Sequence, residues 1–458
     1  MRIWTLILGL LLGGAITGCD RQPEPPAQRH KSPGRKGQTR SAKESRPQSV
    51  PPVPGIPTEP GATNSAPTAT SGHDQEPLLG GQLPLYELKM DAAALMRLER
   101  SGHSNEAFPA TFIADGEVFD RIKVRLRGQW ARTWPKKPLK ILFNHDHLFH
   151  GQECLNLNSG WRDPALVREP LAYAVYAACG VPAPRSRPVR LHVNGQFRGL
   201  YLEVEQPGKA FLRRWNLNGA AVFKAFSRAN EADERDHGGE PSYRDHYERE
   251  NRKTEGFGDL RQFCRELART RDAREFFNRN VQVNAYVNYL AATVLVQNWD
   301  CYNKNHFLVH DERNSQKWLV VPWDLDRTFG DRWDRTFGEA RLPINHGTQQ
   351  SPGVTGWNRL ADCFLADPNL RSRFLDRLEE LLAGEFTTNR LFPILDRWES
   401  QIGPTAALDR RRWPSPTPDL HRGIDGIKNY IERRRDYLAG EIKRSRREDP
   451  RPIGPGEK

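Results

Sequence analysis

Cysteine is scarce and scattered in this chain of 458 residues, at Cys19, Cys154, Cys179, Cys264, Cys301 and Cys363, with no C-x-x-C pair and no His/Cys cluster. That excludes a zinc finger or ribbon and gives no sign of a disulfide framework. Setting Cys19 aside, the other five are odd in number, so at least one thiol is free or paired outside the chain. No polybasic run is dense enough to require nucleic acid, and none is expected as a partner. Even so, 69 Lys and Arg against 57 Asp and Glu leave a net charge of +12, a balance suited to phosphates and other anions. Internal repeats are absent. Large apolar residues are nearly missing from 20 to about 80, where Pro, Ser, Gly, Thr and charge dominate. Such a segment cannot bury enough surface to fold and reads as a flexible tether, 20–82.

The apolar run Ile3 to Leu12 is too short to span a membrane as a mature helix, follows Arg2, and ends in Ile16-Thr17-Gly18-Cys19. Small residues directly before Cys resemble a bacterial lipobox. That resemblance implies cleavage before Cys19, acylation of Cys19 and an extracytoplasmic protein tethered to the membrane; a plain secretory signal with an incidental Cys is the alternative.

From Leu83 the chain has a folded pattern. LPLYELKM reads as a strand, DAAALMRLERSG as a helix, and ATFIADGEVFDRIKVRLRG as a hairpin turning at Asp115-Gly116. GQWARTWPKKPLKILF then sets a Gly-containing turn between strands that carry Lys136, Lys137 and Lys140. Backbone amides and ammonium groups facing one way can hold a polyphosphate, although such strand lysines are commonly solvated charge. A helix is expected from Asp163-Pro164 to Gly180, with Glu169 on it and an interruption at Pro170. VRLHVNGQFRGLYLEVE reads as a hairpin turning at Asn194-Gly195. Residues 225–256 are charged and poor in apolar residues, which marks an insertion or a mobile loop. After Gly330 the chain is mostly helical, and the final residues read as frayed.

The densest chemistry lies in QNWDCYNKNHFLVHDERNSQKWLVVPWDLDRTFG, 297–330. A helix with apolar residues at Val283, Val287, Leu290, Val294 and Leu295 ends where this cluster begins. HFLVH and KWLVV are two short strands, and a hairpin of that kind returns Asp324 and Asp326 towards Asp300, Asn303 and Asn305. Carboxylate and amide oxygens so gathered are hard ligands suited to Mg²⁺ or Mn²⁺. Helix-end capping and turn formation are the simpler account of any one of these residues, whereas the constellation together favours a cation site.

Five passages taken in order, VRLRGQWARTWPKKPLKILF, LNLNSGWRDPALVREPLA, VNGQFRGLYLEVE, NWDCYNKNHFLVHD and VPWDLDRTFG, resemble the spore coat protein H (CotH) kinase family of atypical protein kinases. The resemblance implies an α+β, kinase-like, two-lobed fold, with a β-rich N-lobe at about 83–205, a mainly helical C-lobe at about 206–445 and a flexible basic tail at 446–458. It implies ATP with Mg²⁺ or Mn²⁺ as cofactors and a protein Ser/Thr hydroxyl as acceptor. It makes Asp300 the proton acceptor and Asn305, Asp324 and Asp326 the metal ligands, with Asn305 five residues after Asp300 as in kinase catalytic loops. Lys136 or Lys140 would contact the phosphates with Glu169 orienting it, and Lys224 is a rival. Tyr201 to Glu205, including Glu203, would join the lobes with backbone groups facing adenine. HRD, DFG, VAIK and a Gly-rich loop are missing from the sequence. The alternatives are an inactive pseudokinase acting as a surface binding protein and a metal-dependent phosphoesterase.

Overall fold

Alternating apolar residues build the first half into strands. A computed structural model describes residues 83–226, 231–331, 339–348 and 356–448. The lipobox at Cys19, the 20–82 tether and residues 449–458 of the expected tail lie outside the described residues. In chain order come β1 (Leu85–Lys89), α1 (Ala92–Arg100), β2 (Phe108–Ala114), β3 (Glu117–Leu126), β4 (Leu139–Leu142), β5 (Cys154–Asn158), α2 (Arg168–Ala178), β6 (Ser186–Val193) and β7 (Gln196–Glu205). Tyr86, Phe112, Ile122, Val124, Leu155 and Leu191 recur at strand spacing and are buried in one interior. Their sheet closes into a barrel of order β1-β2-β3-β4-β5-β7-β6. Closure depends on parallel pairing of Leu85–Leu88 with Arg190–Val193, a long-range match that local pattern does not announce. Both hairpin turns show the positive φ that type I′ requires, at Asp115 and Gly116 and again at Asn194 and Gly195.

The second half adds α3 (Lys209–Arg214), β8 (Ala221–Ala225), α4 (Glu240–His246), β9 (Tyr247–Arg249), α5 (Gly258–Arg269), α6 (Ala273–Asn280), α7 (Val283–Val296), β10 (His306–Asp311), β11 (Lys317–Pro322), α8 (Arg359–Ala366), α9 (Pro368–Ala383), α10 (Thr388–Arg412) and α11 (Leu420–Glu448). The four strands form a sheet of order β11-β10-β8-β9. Helix α7 is buried on nearly every side, so it is the spine of this lobe rather than an amphipathic surface helix. No helix among the described residues is long and apolar enough to cross a membrane.

Three expectations change here. Residues 446–448 continue α11 instead of fraying. The charged 225–256 stretch, expected to be an insertion or a mobile loop, carries α4 and β9 in its described part, where Tyr243 and Tyr247 point into the core. Helix α2 starts at Arg168, four residues later than expected, since Asp163 bends the preceding chain by accepting from Ala165 N and Arg168 N. Pro170 falls in its first turn, where the missing N–H leaves no helical bond unmade. Although α2 lies between β5 and β6 in sequence, Leu171, Tyr173 and Tyr176 share a core with α7, and Tyr176 Oη lies 2.7 Å from Thr293 Oγ1.

Candidate active site

Helix α7 ends at Val296 with Gln297 in the left-handed region, φ +55°, and the turn leads directly to Asp300. Asn305 (φ +58°) precedes β10, and the β10–β11 hairpin delivers Asp324 (φ +58°) beside it, with Trp323 N donating to Asn305 O at 3.1 Å. Asn and Asp tolerate this conformation better than other side-chain-bearing residues, and such strain gathers where geometry is fixed for function.

Asp300 Oδ1 lies 2.8 Å from Lys304 Nζ. Its Oδ2 accepts from Asn305 Nδ2 at 3.0 Å, and the same amide donates to the Asp300 carbonyl at 3.1 Å. Asn305 therefore has its nitrogen committed and its Oδ1 left as an acceptor. Burial pushes the Asp300 carboxyl up, Lys304 pulls it down, and Asp324 pushes it up again, for a net rise.

The opposite carboxylates come from α2 and the loop after β11. Glu169 accepts from Asn158 Nδ2 at 2.6 Å and from the backbone of Leu325. Burial and then Asp324 push its pKa up to about 7. Burial, Asp324 and Glu169 raise Asp326 well above the usual carboxylate range, against the pull of Arg327. Asp324 N donates to Tyr173 Oη at 3.3 Å, which ties this loop to α2. Acids held together at this cost in charge repulsion are a donor set for a hard cation. They are not a closed cage. Among the described residues, the tight three-ligand grouping is Asp259, His310 and Glu312, where Arg249 and Arg252 already supply the positive charge. An open set fits Mg²⁺ or Mn²⁺ held by one or two carboxylates together with substrate phosphates.

A group of basic residues lies beside Glu248 and Glu250, with Arg127 the member whose charge reaches Glu169. Arg125 and Arg127 alternate outward along and just beyond β3, and Arg125 sits opposite Lys140 on β4. Lys140 Nζ donates to Gln206 Oε1 at 3.2 Å. Lys224, on β8, has its pKa lowered by burial, with Glu250 opposing and Arg127 adding to the fall. Arg127 also pulls Glu169 down and lies 5.6 Å over the Trp323 ring, which places it beside the acids. Sequence reading missed Arg127, Lys304 and Asn158. The period-2 run Lys123, Arg125, Arg127 was the legible signal for the first.

Two expected nucleotide contacts lie elsewhere. Lys136 is fully buried 2.7 Å from Asp409 of α10 and donates to Leu200 O, so its charge is spent between barrel and helix. Glu203 accepts from Arg187 Nε at 2.9 Å and from Tyr86 Oη. The backbone of 202–204 pairs with β5 on one side and β6 on the other, which leaves no free edge for adenine. The chain leaves the barrel for the last time at 206–208, after β7. A cavity of about 620 Å³ lies away from the acids, between Trp161, Leu166, Ala406 and Trp413.

The family model for CotH kinase protein matches residues 124–438, from inside β3 to α11. The chain belongs to this family. Among CotH relatives, it is 26% identical to the inner spore coat protein H of Bacillus subtilis (strain 168) over 373 residues, covering 79% of this chain and 98% of that protein. An inner spore coat protein H-like protein of the same organism is 24% identical over 64% of this chain and 82% of its own length. Among solved structures, the proinflammatory kinase CtkA of Helicobacter pylori overlaps 68% of this chain and 94% of its own with a TM-score of 0.34 and 10% identity. HipA of Shewanella oneidensis MR-1, solved with HipB and operator DNA, overlaps 68% of this chain and 60% of its own at 0.26 and 16%. Neither overlap is close; the CotH match stands without them, and it includes Arg127, Glu169, Asp300, Asn305, Asp324 and Asp326.

Proposed function

We propose that this CotH-family chain is a protein kinase that transfers the γ-phosphoryl group of ATP to a Ser or Thr hydroxyl. The observation that carries the reading is the gathering of Asp300, Asn305, Glu169, Asp324 and Asp326, with Arg127 beside Glu169. Phosphoryl transfer needs charge placement more than a covalent nucleophile. Asp300 takes the acceptor proton, and Lys304 holds the carboxylate in register. Asn305, Asp324 and Asp326 would hold Mg²⁺ or Mn²⁺, which supplies positive charge to the phosphate oxygens when bound. Arg127 and Lys224 meet the remaining phosphate charge, and Glu169 lies within reach of Arg127's influence. By analogy with relatives named for the spore coat, Ser-rich coat or envelope proteins are the acceptor class. The lipid anchor at Cys19 belongs to the same proposal, and an intact-mass measurement of the mature N-terminus checks it.

The test is transfer from γ-labelled ATP by the purified protein with Mn²⁺. Asp300→Ala should lose about 10²–10⁴-fold, the usual worth of a positioned base. Equal labelling by wild type and Asp300→Ala would sink the reading. A binding-only alternative draws on one feature: both Asp300 oxygens are already paired, with Lys304 and Asn305. A melting shift with ATP and Mn²⁺ but no transfer by wild type would favour it.

A further inference from the structure

Residues 232–234 lie against the loop that carries Asp300 and Asn305. Ala232 N donates to Asn303 O at 2.9 Å, and Arg359 N, at the start of α8, donates to Asp233 O at 2.8 Å. The next residue, Glu234, is 1% exposed. A carboxylate that deep is tolerated only when its oxygens are matched. Its Oε1 lies 2.9 Å from His306 Nε2 and accepts from Tyr247 Oη at 3.4 Å, and its Oε2 accepts from Asn358 Nδ2. His306 is buried as well, with Nδ1 facing the carbonyls of Cys301 at 2.9 Å and Lys304 at 3.0 Å. Acceptors on both sides make both ring nitrogens donors. Asn358 also donates to Tyr302 O at 2.6 Å, while its Oδ1 caps α8 by accepting from Ala361 N.

Every carbonyl between Asp300 and Asn305 is thereby held. Cys301 and Lys304 answer to His306, Tyr302 to Asn358, and Asn303 to Ala232, and all these routes meet at the 232–234 segment. We propose that Glu234 is a positioning residue: through His306 and Asn358 it fixes the loop that sets Asp300 and Asn305 relative to each other. It touches no reacting atom, and the inference rests on the kinase reading of that loop.

Three variants of the full chain test it: Glu234→Ala, Glu234→Gln, and Asn358→Ser, which keeps a capping oxygen for α8. For Glu234→Ala we expect kcat to fall about tenfold or more with KM for ATP within about twofold, and amide exchange across 300–305 to rise about tenfold, as for a loosened local unit. Glu234→Gln, which keeps an acceptor for His306, should fall between it and wild type. Asn358→Ser should show the same signature more weakly, and it decides the matter if Glu234→Ala does not fold. Wild-type exchange across 300–305 in the folded variants would overturn the proposal, as would a loss confined to KM for ATP. Should the wild type transfer no phosphoryl group, the kinase reading falls, and the exchange comparison alone decides the role of Glu234.

Discussion

Replacing Lys136 separates a structural cation from a nucleotide-binding one. Its ammonium and the Asp409 carboxylate lie 2.7 Å apart with side-chain exposures of 0% and 8%. Leu200 serves both, its carbonyl accepting from Lys136 and its N–H donating to Asp409 at 2.9 Å. Burial lowers the lysine pKa and Asp409 partly restores it. Lys136→Met leaves the carboxylate buried without its counter-charge, which costs about 3–5 kcal/mol, against about 0–1 for an exposed pair. Adding Asp409→Asn keeps an oxygen for Leu200 N and removes the stranded charge, so the double variant should recover a coupling of about 1–3 kcal/mol. Urea unfolding followed by tryptophan fluorescence measures both, with ATP affinity titrated in parallel. A Lys136→Met protein within about 1 kcal/mol of wild type, or one equally stable but impaired in ATP binding, would refute the structural assignment and return Lys136 to the phosphates.

Asp324 sits at φ +58°, so Asp324→Gly should be more stable than Asp324→Ala by about 1 kcal/mol while both lose transfer; equal melting temperatures would show that the backbone there is unstrained. All five cysteines after Cys19 are free, and burial pushes Cys179 and Cys301 up to about 12. At pH 8 a thiol reagent should therefore reach the half-buried Cys154 first and the others only after denaturation, read by peptide mass mapping; rapid native labelling of Cys301 would contradict its packing role. Asp259 is raised by burial but held below its usual value by His310 and Arg249. Its contribution to stability is thus complete above about pH 4 and is lost as pH falls through the lower folded value. Acid unfolding of Asp259→Asn should show a shallower loss below pH 4 than wild type.

Local signals carried much of this fold. Asn194-Gly195 and Asp115-Gly116 marked their turns because only a few residue types accept positive φ at both positions. The α7 periodicity and the β10–β11 hairpin placed Asp300, Asn305 and Asp324 together for the same reason: every step between them is short. What failed was long-range. Nothing near Lys136 shows that Asp409, far along the chain, will neutralise it, and nothing near Glu203 shows that β7 is flanked on both sides. The 225–256 stretch misled because its composition is that of a loop, whereas its described part is held by Tyr243 and Tyr247 entering the core and by Glu234 meeting His306.

That split bears on how the site works. The acidic wall is one packed unit: α2 shares the α7 core, Arg168 Nε donates to Thr328 O at 3.2 Å, and Tyr173 and Leu325 lock Asp324 and Glu169 together. In familiar protein kinases a movable helix brings its glutamate to the nucleotide lysine. Here Glu169 could leave its place only by breaking the main core. The basic residues Arg125, Arg127 and Lys140 instead ride on the barrel, whose own interior is separate. They are not independent of the acids: Asn158, at the end of β5, donates to Glu169 at 2.6 Å, and the buried Lys136–Asp409 pair ties the barrel to α10. On the kinase reading, a bound cation would relieve the repulsion among Glu169, Asp324 and Asp326, and the nucleotide phosphates would engage Arg127 on the barrel. Adding Mn²⁺ without nucleotide should relieve the first and leave the second undone, which amide exchange in β3 and β4 with Mn²⁺ alone, and then with ATP, can separate.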